Sequence, residues 1–286
     1  MPELPEVHAL VADLGSRLGG RTVERFDLVS FAALKTFDPP VSALAGGTVR
    51  QVSRHGKFLD ILIDDLHVII HLARAGWLRW RPDPPAPIGR PGRTALAARL
   101  VLDDGSGFDI TEAGTKKSLA VYVVRDPQEV PGIARLGPDP LSPGFTIDAF
   151  RAILAGVGRS QIKGVLRNQS LIAGIGNAYS DEILHTAHMS PFKPAAMTDD
   201  ESERLFEALH STLTEAIGRA EGLAASELKK EKKFAMQVHG RTGEPCPVCG
   251  DTVRQVIYSD SNFQYCPTCQ TGGKPLADRV LSRLLK

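Results

Sequence analysis

The sequence predicts an α+β multidomain protein: an N-terminal helix, a β-sandwich or barrel, a helical domain and a C-terminal ribbon built on four cysteines. Three observations predict it. Apolar residues recur at helical spacing over residues 4–18, short apolar or alternating segments separated by turn residues fill residues 22–124, and two C-x-x-C pairs lie near the end. A length of 286 residues sets the prior at about two domains. Hydrophobic residues at 42% and charged residues at 23% argue against a disordered or fibrous chain.

Taken in order, Leu4, Val7, Leu10, Val11, Leu14 and Leu18 share one stripe of an amphipathic helix that stops near Gly19 and Gly20. Residues 58–63, 68–72, 97–102, 108–111 and 119–124 read as strands. Between them fall the turn signals Asp64-Asp65, Asp103-Asp104-Gly105 and Glu112-Ala113-Gly114. Five prolines (127, 131, 138, 140 and 143) interleaved with Gly132, Gly137 and Gly144 mark a linker. Helical spacing follows at 147–154, 162–167, 178–187 and 199–222, the last carrying Leu205, Leu209, Leu213 and Ile217 on one face. A charged stretch at 229–233 leads to the cysteines, and 276–285 reads as a short final helix. The resulting division is a domain at 1–130, a linker at 131–146, a helical domain at 147–235, a ribbon at 236–272 and an extension at 273–286.

The charge balance, 34 basic against 33 acidic residues, gives no global argument for a polyanionic partner, so any such site must be local. Sorted by segment, residues 151–167 carry Arg151, Arg159, Lys163 and Arg167 with no acid among them. Residues 229–241 carry five basic residues against one acidic. No run approaches the ~18 apolar residues of a membrane helix, and two glutamates stand in the first six residues where a secretory signal carries a basic region. The expected compartment is the cytoplasm, with no membrane association.

Cys246, Cys249, Cys266 and Cys269 form two C-x-x-C knuckles with sixteen residues between them, the spacing of a four-cysteine zinc site. Four thiolates complete a tetrahedron around Zn²⁺ and leave no position for water, so the metal is expected to be structural, one per chain. Val253, Val256, Ile257, Tyr258 and Phe263 read as a hairpin between the knuckles. The competing reading is a pair of redox dithiols.

Pro2 follows the initiator methionine, and a small second residue permits its removal. The exposed secondary amine, with an ordinary α-amino pKa near 8, could attack an aldehyde or sugar carbon and form an iminium. Glu3 and Glu6 lie close enough in sequence to move protons for it. The competing reading is ordinary helix-start chemistry, proline in the first turn with acids complementing the dipole.

The run MPELPEV at 1–7, the run NQSLIAGIGNAYSDE at 168–182 and the four-cysteine ribbon occur in one order, and together they resemble the formamidopyrimidine-DNA glycosylase and endonuclease VIII family. The likeness extends from Pro2 to about Gln270. It implies an N-terminal β-sandwich, a helix-two-turn-helix domain and a zinc ribbon, with damaged double-stranded DNA bound in the cleft between domains and the protein acting as a monomer. It also implies a bifunctional enzyme that removes a damaged base and then cuts the strand. The family's proline nucleophile falls on Pro2 and its catalytic glutamate on Glu3, with Glu6 in support. Its hairpin lysine falls on Lys57 in the run RHGKF, and its phosphate-contacting histidine on His71. Lys163 matches a basic position of the family. Gly176 and Asn177 fall at a helix start, where backbone N–H groups and the dipole favour phosphate.

The sequence also departs from that pattern. Ser261 stands where the family's zinc finger carries an arginine, which removes a charge-assisted phosphate contact. Residues 71–76 read HLARAG where the guanine-lesion branch has a methionine in HLGMSG, and EAGTKK at 112–117 replaces a DPRRFG loop. Arg74, Trp77 and Lys116 are the substitute candidates for filling the space of a flipped base, with sandwich core as the other reading of Trp77. The stretch before KKFAMQVHGR at 232–241 is shorter than the loop that caps 8-oxoguanine. The expectation is retained lyase chemistry with an altered base preference. Two rivals are a damage-binding or abasic-site-binding member that lost turnover, and a zinc-ribbon transcription or translation module.

Overall fold

The computed structural model describes residues 1–85, 95–257 and 262–277. Tyr258 and Ser261 lie outside these residues, as does most of the expected final helix at 276–285. Residue contacts divide the chain into two units, Met1–Leu136 with Ala220–Lys229 and Gly137–Arg219 with Lys230–Lys286.

In the first unit the apolar stripe forms α1 (Leu4–Leu18). Glu3 takes the N-cap position with extended backbone, and Pro5 sits in the first turn, where a missing N–H removes no helical bond. Eight strands follow: β1 (Val23–Leu28), β2 (Val49–His55), β3 (Phe58–Ile63), β4 (Leu66–His71), β5 (Gly76–Arg81), β6 (Leu96–Leu102), β7 (Gly107–Glu112) and β8 (Ala120–Val124). They make two four-stranded antiparallel sheets, ordered β1-β6-β7-β5 and β2-β3-β4-β8. One core lies between them, with Leu59, Ile61 and Val68 from one sheet and Leu78, Leu100 and Phe108 from the other, closed by Leu10, Leu14 and Leu18 of α1. The arrangement is a sandwich, and the barrel alternative falls.

Residues 220–229 pack with this sandwich. Ala225 and Leu228 join its core, and the Trp77 indole N–H donates to the Ala225 carbonyl at 2.8 Å. Trp77 thereby ties residues 220–229 to the sandwich.

The second unit contains α2 (Ile147–Val157), α3 (Ile162–Arg167), α4 (Asn177–Thr186), α5 (Asp199–Ala220) and most of α6 (Leu228–Ala235). Thr146 caps α2 by accepting the Ala149 N–H. Phe150, Leu154, Ile162, Leu166, Ile183, Leu205, Leu209 and Leu213 form its core. The charged stretch at 229–233 is part of helix α6, which exposes Phe234.

The ribbon pairs β9 (Arg254–Ile257) with β10 (Asn262–Tyr265) in antiparallel register, Val256 opposite Phe263. A short helix, α7 (Pro267–Thr271), begins after Cys266. No helix among the described residues is long and apolar enough to cross a membrane.

Candidate DNA-repair site

The sandwich places three sets of expected residues. At the chain start Pro2, Glu3 and Glu6 are all buried, the two carboxylates at 2% and 3% exposure. The Glu6 carboxylate accepts the backbone N–H of Glu3 at 2.7 Å, half of a capping box. Lys57 stands in the two-residue loop joining β2 to β3, where Gly56 takes positive φ (54°) as tight hairpins require. Its neighbour Phe58 packs on His71, ring centroids 4.6 Å apart. Burial, reinforced by the positive charge of Lys57, pushes the His71 imidazole down to about 4, so it is neutral at pH 7.

Arg74 is exposed in the turn from His71 to Gly76. The preceding Ala73 holds positive φ (49°), a conformation natural to glycine. Residues 112–119 form a closed loop: the Glu112 carboxylate accepts the backbone N–H groups of Ser118 and Leu119 at 2.7 and 2.9 Å, and Lys117 reaches the Glu112 carbonyl. Lys116 remains exposed at its tip.

In the second unit Gly174 (φ 88°) and Gly176 lead into α4, with Asn177 its first residue. Gln169, which sequence reasoning passed over, shapes this turn. Its side-chain amide donates to the carbonyls of Ile175 and Arg167 and accepts the Gly174 N–H. Asn177 donates to the Asn262 carbonyl at 2.7 Å, while its own side-chain oxygen is buried with no hydrogen-bond partner among the described residues.

Lys163 differs most from expectation. It is 5% exposed, and its ammonium meets the Asp181 carboxylate at 2.5 Å and the Ser180 hydroxyl at 2.8 Å. The four basic residues of 151–167 therefore do not form one charged face: Arg151 binds Ser202 and the Asp199 carbonyl on α5, Lys163 is interior, and Arg159 and Arg167 are exposed. Basic residues at irregular spacing on two helices and the turn between them point in different directions, which a charge count along the sequence does not register.

Asp181, Glu182 and His185 are the residues that sequence reasoning missed. Asp181 also meets His239 at 2.7 Å and the Gln264 N–H at 3.3 Å. Glu182 accepts the backbone N–H groups of Gln237, Val238 and His239, while its burial pushes its pKa up. Burial pushes the His185 imidazole down. The available signal was their place on a short helix that also carries the buried Ala178, Tyr179, Ile183 and Leu184.

The sulfurs of Cys246, Cys249, Cys266 and Cys269 all lie within 4.8 Å of one another, close enough to hold a metal ion. Each knuckle is shaped by backbone bonds. The Gly250 N–H returns to the Cys246 carbonyl, and the Cys266 N–H donates to the Gln270 side chain.

Comparison with known proteins gives the protein's class, a DNA glycosylase of base excision repair. Residues 1–115 match the formamidopyrimidine-DNA glycosylase N-terminal domain, and residues 136–227 match the formamidopyrimidine-DNA glycosylase H2TH domain. The chain belongs to the formamidopyrimidine-DNA glycosylase and endonuclease VIII family. It is 34% identical over 281 residues to the formamidopyrimidine-DNA glycosylase of Symbiobacterium thermophilum, covering 94% of this chain and 89% of that one. An uncharacterized formamidopyrimidine-DNA glycosylase-like protein of Mycobacterium tuberculosis is 55% identical over 152 residues, 53% of this chain and 94% of its own length. The crystal structure of the Thermus thermophilus MutM protein superposes with a TM-score of 0.79 at 30% identity, covering 96% of this chain and all of that one. A Lactococcus lactis relative in complex with abasic-site DNA gives 0.81 at 26% identity, covering 94% and 99%.

Proposed function

We propose that the protein is a bifunctional glycosylase and AP lyase that works through an N-terminal proline Schiff base on damaged duplex DNA. The observation that carries this reading is the start of α1, where two carboxylates are withdrawn from water beside Pro2. Glu6 serves the helix start by taking the Glu3 N–H, which fixes the buried Glu3 residue next to the nucleophile.

With Met1 attached, the Pro2 nitrogen is an amide and has no nucleophilic lone pair. Removal of Met1 makes it a secondary amine. Its attack on C1′ forms the N–C1′ bond as the bond to the damaged base breaks, and the base leaves with a proton. The ring oxygen then departs with a proton from Glu3, while the amine nitrogen gives up its own proton, which balances the one carried off by the base, and the iminium remains. Loss of a proton from C2′ breaks the C3′–O bond, which is β-elimination, and a second elimination releases the other phosphate. Glu6 is a positioning residue for Glu3.

Lys57 and neutral His71 are assigned to phosphates on the sandwich side, and Arg74 to the space of the flipped base. On the helical side the N-terminus of α4 at Gly176 and Asn177 receives phosphate. Lys163 is reassigned from phosphate ligand to internal support of that helix start, since Asp181 and Ser180 hold its ammonium. The metal is read as structural Zn²⁺. Tetrahedral Zn–S bonds of about 2.3 Å set sulfurs about 3.8 Å apart, and the pairs Cys246–Cys269 and Cys249–Cys266 stand at 3.9 and 3.3 Å. The protein is proposed to act as a cytoplasmic monomer.

The closed 112–119 loop, tied by Glu112, favours a second reading in which the protein binds abasic sites without turnover. A panel of duplexes carrying an abasic site, ring-opened or oxidised bases and uracil separates the two. Strand cleavage at abasic sites first and at ring-opened or oxidised bases second is expected. Tight binding with no cleavage would establish the second reading.

A further inference from the structure

Along one face of α4 run Asn177, Asp181 and His185, four residues apart so that they form a single polar stripe, and His188 follows just past the end of the helix. Each meets the ribbon or the chain entering it. Asn177 reaches the Asn262 carbonyl, Asp181 meets His239 and the Gln264 N–H, and a His188 ring nitrogen lies 3.3 Å from the Cys269 carbonyl. His185 is distinguished by its partner: its Nε2 is 3.3 Å from the Sγ of Cys246, and both residues are buried, at 1% and 2% exposure.

We propose that His185 donates a hydrogen bond from Nε2 to the Cys246 thiolate of the metal-loaded ribbon, and so fixes that ligand and slows loss of the metal. The inference rests on the metal reading above and adds to it a residue from outside the ribbon.

The chemistry follows from charge. Four thiolates around one divalent cation leave net negative charge on sulfur, and a sulfur shut away from water needs donors from the protein. Cys249 receives the backbone N–H of Asp251, and Cys266 that of Cys269, both from the knuckles themselves. For Cys246 the neighbouring ring nitrogen belongs to α4. A neutral imidazole carries one N–H, so donation to sulfur places it on Nε2 and leaves Nδ1 as an acceptor. The Gln237 side chain hydrogen-bonds the same ring, and its amide carries both an oxygen acceptor and an NH₂ donor. Zinc retention is thereby linked to the helix whose first residue is Asn177.

The test uses the full chain loaded with zinc or cobalt and two variants. His185→Phe keeps the ring volume without a donor, while His185→Gln restores an N–H. Loss of an outer donor costs about 10–100-fold in metal affinity. Chelator-driven zinc release from His185→Phe is therefore expected to be at least tenfold faster, with a shifted sulfur-to-cobalt charge-transfer band, and His185→Gln is expected to return both toward wild type. Wild-type release and an unshifted band in His185→Phe would overturn the proposal. Should that variant fail to fold, wild-type protein with isotope-labelled histidine and NMR-active cadmium gives the same answer: coupling between the ring N–H and the metal through sulfur supports the bond, and its absence refutes it. Failure of the wild-type chain to take up any metal would instead remove the metal reading, and this proposal with it.

Discussion

The Glu6 carboxylate accepts the Glu3 backbone N–H at 2.7 Å, in a pair of residues that are both almost wholly buried. Glu3 is thus held by its main chain, while its side chain is kept out of water beside Pro2. Glu6→Ala leaves that buried N–H unsatisfied and is expected to cost about 1–3 kcal/mol, read as a lower urea midpoint. Glu6→Gln keeps an acceptor and should lose less than half as much. An Ala variant as stable as wild type would show that the bond does not hold the chain start.

The turn that carries Arg74 makes opposite demands at two positions. Ala73 has positive φ (49°), which costs a residue with a Cβ about 1 kcal/mol. Ala73→Gly is therefore expected to raise stability by up to about 1 kcal/mol in denaturant unfolding. At Gly76 an added Cβ would sit 2.1 Å from the Leu72 carbonyl oxygen, a backbone atom that cannot step aside. Gly76→Ala should cost about 3 kcal/mol or more. Equal effects of the two substitutions would contradict this turn geometry.

Lys163 and Asp181 form a buried ion pair, and removing one partner strands the other. Lys163→Met should lower stability by about 3–5 kcal/mol, while the salt dependence of DNA binding by the variant that remains folded stays parallel to wild type. A direct phosphate ligand would behave in the opposite way, with little change in stability and a slope reduced by about one. Melting curves and binding isotherms across a salt series distinguish the two.

His71 gives the protein an acid-sensitive term. In the unfolded chain the imidazole titrates near 6.5, and in the fold near 4. Between those values the unfolded chain takes up a proton that the fold refuses, so the contribution is complete above pH 6.5 and declines as the pH falls toward 4. The loss is on the order of 3 kcal/mol. Urea midpoints at several pH values should show that decline in wild type and a smaller one in His71→Phe, which keeps the ring packing on Phe58. Parallel profiles would remove His71 as the source.

Much of this was legible because burial writes itself into spacing. Leu10, Leu14 and Leu18 announced α1, the alternation near residues 58–63 and 97–102 announced the sandwich, and two C-x-x-C pairs announced the metal cluster. Strands such as β2, sequence VRQVSRH, were harder to read since one face is polar and only Val49 is fully buried. Helix α6 was hidden because four lysines and a glutamate carry no apolar period. The polar stripe on α4 was invisible for a different reason: Asp181 and His185 look like surface residues until their partners, far along the chain, are brought beside them. The burial of Lys163 against Asp181 was hidden on the same ground, since its partner is eighteen residues along the chain.

The most direct test of the account is borohydride reduction of the protein mixed with duplex DNA containing an abasic site. Native chain freed of Met1, confirmed by mass spectrometry, should yield a covalent protein–DNA adduct whose linkage maps to Pro2, and Pro2→Gly should reduce or relocate it. No adduct from the native chain, or trapping by the glycine variant unchanged in yield and position, would contradict the proline mechanism.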